Sequence, residues 1–398
     1  MSSRYTVGID IGTYEVKVVV ALHTEEGPLP KIVGTGRSES KGLRHGYTIN
    51  MNDVAKSVRT AVSQAEKSSG IQIKEAFISI GGVGLSSINS NGSSIVARAD
   101  QKITEADLDA ALAAAEESIP QSLIQNRKII YSIPVAWRID GKNVLGRVLG
   151  MKGVKLEVKV LFVSCLEHHL DDLVEAVEEA GVRVIDVVAS PIAASFAILS
   201  KSQRIAGCVL ANIGAETVSM VVFENQIPVS LEVFGIGGND ITNDIALGLK
   251  ISLEEAESIK LGGITSTNYS RKRLEEIVSA RLGDIFELIE VHLKKIGKSG
   301  LLPAGIIITG GSSSIGAIED LARSYLKLPS RTASLNFGSI QGNNGNSKFQ
   351  IKDSSWSVSY GLCIVGNMPE ESTESMGLKK QGKDIFKKVL DIIKQFLP

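Results

Sequence analysis

The chain has 398 residues, of which 43% are hydrophobic and 5% aromatic, and a formal net charge of -1. That balance excludes a strongly basic nucleic-acid binder and a disordered, charge-rich chain. The length exceeds what one ordinary core organises, so two lobes with a cleft between them are expected.

Residues 5–11 read as a strand, Gly12 and Thr13 turn it, residues 16–22 return as a second strand, and residues 32–35 form a third. Asn52 is expected to cap a helix in which Val54, Val58, Ala61, Val62 and Ala65 recur at helical spacing, followed by a strand at 76–80. Residues 82–159 have a different character. They hold short strands, a helix opening at Thr104 with Asp107 in its first turn, and a strand pair at 129–137 and 144–149. This reads as a small inserted subdomain with one helix on a sheet. The main pattern resumes with a strand at 160–164, a helix at 167–180, a strand at 182–188, and a helix that Ser190 caps and Pro191 begins. Alternating strands and helices define an α/β chain. Cys165, Cys208 and Cys363 stand far apart among apolar neighbours and read as buried free thiols in a reducing compartment. No apolar run is long enough to span a bilayer, and the polar residues 1–5 lead straight into a strand, so no signal peptide is expected and any membrane contact is peripheral.

A second hairpin, at 208–212 and 218–223, repeats the first. GIDIGTYEVKVVV from Gly8 aligns with LANIGAETVSMVV from Leu210, as expected for an internal duplication. A glycine-bearing tip lets backbone N–H groups approach a phosphate, and the Thr13 and Thr217 hydroxyls add donors, although most single tips of this kind are merely turns. Two further glycine signals follow. Gly237-Gly238-Asn239-Asp240 precedes a helix, and Gly310-Gly311-Ser312 follows the apolar strand 306–308, so each can bring bare backbone or a helix N-terminus to a nucleotide.

On these motifs the sequence resembles the actin, Hsp70 and sugar-kinase ATPase superfamily. Within it, the sequence resembles the bacterial cell-division family FtsA along nearly the whole chain. GIDIGTYEVK resembles the first phosphate motif, LANIGAETVS the second, and GIIITGGSSSIGAIEDLA the adenosine motif. FGIGGNDITNDIA resembles the segment after the second motif, and SVSYGLCIVG the second connecting helix. The resemblance implies an actin-like two-lobed fold of duplicated ribonuclease H-like domains, with a 1C subdomain inserted in place of actin's 1B. The implied divisions are subdomain 1A at 1–81, 160–192 and 348–366, and 1C at 82–159. Subdomain 2A would lie at 193–236 and 301–337, 2B at 237–300, a linker at 367–381 and a terminal helix at 382–398. It also implies ATP and Mg²⁺ as ligands. Asp10 would hold the metal through water, Gly12, Thr13 and Tyr14 would bind phosphate, and Lys17 would add positive charge. Asn212, Gly214, Ala215, Glu216 and Thr217 would form the second tip, with Gly237, Gly238 and Asn239 beside it. Glu257 and Lys260, in the helix after the S-x-x-E capping box 252–255, would approach ribose and adenine, and Gly310, Gly311 and Ser314 would floor the base. Glu257 and Lys260 read equally as a solvated helix face.

Where the superfamily's second phosphate motif usually begins with Asp, this chain has Asn212, and where glycines are common it has Ala215 and Glu216. Asn removes a negative charge that helps hold Mg²⁺ and orient water, and residues 191–199 contain no Glu, Gln or Asp. ATP is therefore expected to act mainly as a conformational ligand, with weak or no hydrolysis.

The terminal segment reads as an amphipathic helix. Ile385, Phe386, Val389, Ile392, Ile393, Phe396 and Leu397 mark its apolar face, and Lys383, Lys387 and Lys388 lie opposite. Such a helix suits an anionic membrane surface, though it reads also as a helix docked on its own core. The resemblance implies self-assembly into filaments on the cytoplasmic face of the cell membrane at the division site. It further implies binding of the FtsZ C-terminal peptide in 2B and contact with other division proteins. Arg281, Lys294 and Lys295 could receive an acidic peptide, and read also as ordinary surface charge. A PilM-type pilus-assembly adaptor and a small-molecule kinase of the same superfamily are the rival readings. The polar stretch 338–347 reads as a loop without function.

Overall fold

In this computed structural model the described residues are 4–24, 29–144, 146–263, 269–335, 340–341, 348–349 and 353–366. The linker and the terminal helix read from the sequence lie outside them.

Two five-stranded sheets carry the fold, and they share one topology. The first runs from edge to edge Lys31–Glu39, Glu15–His23, Arg4–Ile11, Glu75–Ile80, Arg183–Ala189, and the second runs Ile227–Phe234, Val218–Glu224, Cys208–Ile213, Ile306–Thr309, Ser330–Thr332. In each, the first three strands are antiparallel and the last two join in parallel. The duplication read from the sequence is thus present in the strand order as well as in the motifs. The hairpins even share register. Asp10 pairs with Lys17 and Ile11 with Val16, while Asn212 pairs with Ser219 and Ile213 with Val218.

The first lobe's outer helix, Met51–Ser69, buries Val54, Val58, Ala61, Val62 and Ala65 at the predicted spacing. Its N-cap is Asn50 rather than Asn52, because the Asn50 carboxamide oxygen accepts from the Asp53 amide at 3.3 Å. Residue 52 lies inside the first turn, where an Asn side chain has no free amide ahead of it. The helix lies close to the edge strand because Gly36 has no side chain: a Cβ there would stand 1.9 Å from the Ala61 carbonyl oxygen.

The insert is a four-stranded sheet in the order Ser86–Ile95, Lys155–Leu166, Arg127–Ile139, Lys142–Val144, with the helix Glu105–Glu117 on one face. The helix opens at Thr104 as expected, and Thr104 and Asp107 form a capping box. Two strand readings are corrected. The strand expected at 160–164 is the inner half of Lys155–Leu166, which pairs along its length with both Ser86–Ile95 and Arg127–Ile139. Residues 160–165 are buried on both faces, so the local pattern resembles a main-sheet strand although the partners belong to the insert. The strand expected at 144–149 ends at Val144, where three residues suffice to close a hairpin on Trp137–Ile139.

Two short helices, Ser190–Ile198 and Ser357–Val365, cross between the lobes. They pack tightly at Gly361, where a Cβ would lie 1.9 Å from the Ala193 carbonyl oxygen. Ser190 is the first helical residue and Ala189 the N-cap, without a side-chain cap bond. One apolar cluster runs from Ile9, Val18, Ile78 and Val188 of the first lobe to Leu210, Val221 and Ile307 of the second, and another, including Val209, Met220, Ile285 and Ile308, lies within the second lobe. No helix among the described residues is long and apolar enough to cross a membrane.

Candidate functional site

The strand ends place both hairpin tips in one cleft. Gly12 donates its amide to the Glu15 carbonyl at 3.2 Å, and Gly214 donates to Thr217 at 2.9 Å, so both tips close by the same bond. Gly12, Thr13, Tyr14, Lys17, Gly214, Ala215 and Thr217 line the space between them. Asp10 and Asn212 occupy equivalent strand positions on its two sides. Asp10 Oδ1 accepts from the Ser79 hydroxyl at 2.7 Å. Burial raises the Asp10 pKa above the ordinary carboxylate range, opposed by the Ser79 bond and by the Lys17 charge. Lys17 has a side chain only 13% exposed, pairs with Glu15 at 3.3 Å and lies over the Trp356 ring, 5.9 Å from its centroid.

The second lobe supplies the other wall. The helix Gly238–Leu249 begins directly beneath the second tip, with the Gly238 amide donating to the Gly214 carbonyl at 2.8 Å and the Asn239 amide to Ala215 at 2.7 Å. Next to it, Ser252 caps the helix Leu253–Lys260 by accepting from the Glu255 amide. From that helix Lys260 Nζ reaches Glu257 Oε2 at 2.6 Å, Thr242 Oγ1 at 2.9 Å and the Gly238 carbonyl at 3.1 Å. The Lys260 side chain is 5% exposed, so the solvated-face alternative fails for this pair. Thr242, which the sequence reading did not single out, also bonds Glu257 and so ties the two helices together.

Gly310 and Gly311 line the cleft. Gly310 has φ 97, and a Cβ there would lie 2.3 Å from Asn212 Oδ1, so only glycine brings this turn against the strand Cys208–Ile213. Ser314 is corrected. The Ser313 amide and hydroxyl both bond the Gly310 carbonyl, and this tight turn puts Ser312 in the cleft and Ser314 on the exposed outside. Glu216, Gly237 and Gly238 are also absent from the lining. The two glycines support the tip from beneath, and the Glu216 carboxylate accepts from the His45 amide of the other lobe.

Further lining residues were missed, among them Gly46, Ser79, Gly82, His169, Ser190, Ser355 and Val358. Those named come from five separate segments, and none carries a spacing signal. Among the peptide-site candidates, Arg281 is committed to a two-bond pair with Asp244, at 2.7 and 3.1 Å, and to Asp284 at 3.3 Å. That geometry removes it as a free receptor for an acidic peptide. Lys294 stays largely exposed and weakly paired to Glu290, and Lys295 neighbours Glu232 and His292.

Two lobes of identical topology, crossed by a helix pair and facing each other with twin hairpin tips, define the actin-like ATPase fold. Solved structures agree. In a PilM-PilN type IV pilus biogenesis complex the matching chain has a TM-score of 0.66 at 17% identity, covering 92% of this chain and 99% of that one. MreB5 of Spiroplasma citri bound to ADP gives 0.50 at 13% identity, covering 94% and 98%. The family described as cell division protein FtsA matches residues 209–361, and the SHS2 domain inserted in FTSA matches residues 82–164. The insert match ends inside the strand Lys155–Leu166, five residues beyond the boundary read from the sequence. The cell division protein FtsA of Pseudomonas aeruginosa is 31% identical over 352 residues, covering 83% of each chain. That of Neisseria meningitidis is 28% identical over 95% of each, and that of Escherichia coli K12 is 24% identical over 80% of this chain and 81% of that one. This chain belongs to the FtsA family of cell-division proteins.

Proposed function

We propose that this protein binds ATP with Mg²⁺ in the cleft, polymerises on the cytoplasmic face of the cell membrane at the division site, and tethers FtsZ filaments there, helping to recruit and activate the septal machinery. The observation that carries the nucleotide half is the pairing of the two tips in one register, with the Glu257–Thr242–Lys260 cluster beside them. A triphosphate would lie between the tips against the backbone of Gly12–Tyr14 and Gly214–Thr217, with Lys17 offsetting its charge. Ribose and base would meet Glu257 and Lys260, over Gly310, Gly311 and Ser312.

The residues fit a magnesium ion bridged to phosphate. Asp10 is a partly desolvated carboxylate whose raised pKa a nearby dication would reverse. No group of three or more acidic, histidine or cysteine side chains forms a metal cage among the described residues, so the ion would be held by phosphate oxygens, water and Asp10. A magnesium ion there would offset phosphate charge, and Asn212, being uncharged, would contribute no second carboxylate. The crossing helix Ser190–Ile198 presents no acidic side chain to activate water, which supports slow hydrolysis.

The membrane half rests on the sequence of the terminal segment. Burial of an apolar side chain contributes about 1 to 2 kcal/mol and each lysine near an anionic surface up to about 1, less the entropy of ordering the helix. One copy therefore binds reversibly, and a filament presenting many copies binds firmly. The test is co-sedimentation with anionic liposomes, with and without Mg-ATP and the FtsZ C-terminal peptide. Nucleotide-dependent pelleting that carries the peptide is expected, and deletion from Gly382 onward should abolish it while ATP binding persists. Pelleting that survives the deletion refutes the membrane assignment.

A further inference from the structure

The loop ahead of the first helix forms a small hairpin in which Leu43–Arg44 pairs with Tyr47–Thr48. Its two turn residues both have positive φ, His45 at 48 and Gly46 at 85, which is the geometry of a tight primed turn. The hairpin is wedged at the phosphate end of the cleft. On one side Gly46 lies on Gly82, where a Cβ would stand 2.3 Å from the Gly82 Cα, and both glycines line the cleft. Behind it the Tyr47 ring stands edge-on to the buried His169 ring, with centroids 5.2 Å apart.

The other side of the hairpin crosses to the second lobe. The His45 backbone amide donates to Glu216 Oε2 at 2.5 Å, and His45 Nδ1 lies 3.2 Å from the Glu216 carbonyl oxygen. Glu216 sits at the tip of the second phosphate hairpin, yet its carboxylate is turned away from the cleft and onto the first lobe. The tip it belongs to is bonded through Gly214 and Ala215 to the first turn of the helix Gly238–Leu249. That helix carries Thr242, which holds Glu257 and Lys260. One chain of contacts therefore runs from the 43–48 hairpin through Glu216 and the phosphate tip to the other wall of the cleft.

We propose that the 43–48 hairpin is a strap closing the phosphate end of the cleft, and that Glu216 is the latch that holds the two lobes shut and slows nucleotide release. The regulatory half of this proposal rests on the cleft being an ATP site. The latch itself does not, since both bonds form between protein groups. A carboxylate at this position, where a glycine would leave the tip bare, exchanges a possible phosphate contact for an interlobe bond. Opening the cleft then requires breaking a charge-assisted bond to a backbone amide.

The test uses the full chain and two readouts. Spin labels on Lys67→Cys in the first lobe and Glu254→Cys in the second, both exposed, report the interlobe distance, while the three native cysteines are buried. Without nucleotide, a narrow distance distribution is expected, broadened and lengthened by Glu216→Ala. Release of a fluorescent ATP analogue, chased with ATP, is expected to be about tenfold faster in Glu216→Ala, the loss of one charge-assisted hydrogen bond. Glu216→Gln keeps the shape and an acceptor oxygen, guards against a folding defect, and is expected to fall between. An unchanged distance distribution overturns the strap, and a changed distribution with an unchanged release rate overturns its control of release. Failure of the wild type to bind the analogue would refute the ATP assignment, and the distance comparison would still decide the latch.

Discussion

Replacing Lys260 with methionine keeps the aliphatic stem and removes the ammonium that holds the second-lobe wall together. In the structure that ammonium makes three contacts, at 2.6 Å to Glu257, 2.9 Å to Thr242 and 3.1 Å to the Gly238 carbonyl, from a side chain 5% exposed. Removing one member of a fully buried pair destabilises by about 3 to 5 kcal/mol, but Glu257 is 31% exposed and keeps access to water. Charge-assisted hydrogen bonds of this kind contribute about 1.5 to 3 kcal/mol, so a loss of about 2 kcal/mol is expected. Urea unfolding should show it as a lowered midpoint with unchanged slope. ATP affinity by calorimetry should fall about tenfold or more, because the helix pair proposed to meet ribose and base loses its tie. Glu257→Gln in the same background completes a double-mutant cycle, and the coupling should be about 1 to 2 kcal/mol. A loss below about 0.5 kcal/mol together with unchanged ATP affinity would return the pair to an ordinary solvated face and refute the reasoning.

Asp10→Asn should stabilise the nucleotide-free protein at neutral pH and weaken Mg-ATP binding. The folded-state pKa of Asp10 lies above its unfolded value of about 3.8, so the native state holds more protons and stability falls as pH rises between the two values. The variant should lose that component of the pH dependence, measured as unfolding midpoints from pH 3 upward. Gly361→Ala should cost about 1 to 3 kcal/mol in thermal unfolding, because the new methyl meets the Ala193 carbonyl where the two connecting helices cross. A neutral result there would mean the crossing opens freely. Burial raises the Cys165 thiol to about 11 and the Cys208 thiol to about 12, and lifts Cys363 further. A chromogenic disulfide reagent at pH 8 should therefore find no fast thiol in the native protein and three after urea.

What the sequence determined by itself was the repeated plan and the local chemistry of its loops. GIDIG and LANIG announce two hairpins because a tight turn between two strands favours glycine at the tip, and apolar alternation on either side fixes which face is inward. The same local logic gave the helix starts at Thr104 and Ser252 and the glycine turn after residues 306–308. Tertiary structure alone decided which surfaces meet. Lys260 sits three residues from Glu257 on a charged helix, and only the approach of Thr242 and Gly238 removes it from water. Ser79 reaches Asp10 because parallel pairing sets Phe77 opposite Gly8 and Ile78 opposite Ile9, a register that sequence spacing does not encode. Arg281 looks like a free surface cation until Asp244, 37 residues away, claims its guanidinium. The strand Lys155–Leu166 looked like part of the main sheet because burial on both faces has one sequence pattern whichever sheet provides the neighbours. Glu216 reads as a phosphate ligand from its place at a glycine-bearing tip; its partner, 171 residues earlier in sequence, is supplied by the other lobe. Periodicity and turn chemistry act over a few residues, so they are legible along the chain, whereas pairing, desolvation and closure depend on contacts that exist only once the chain has folded.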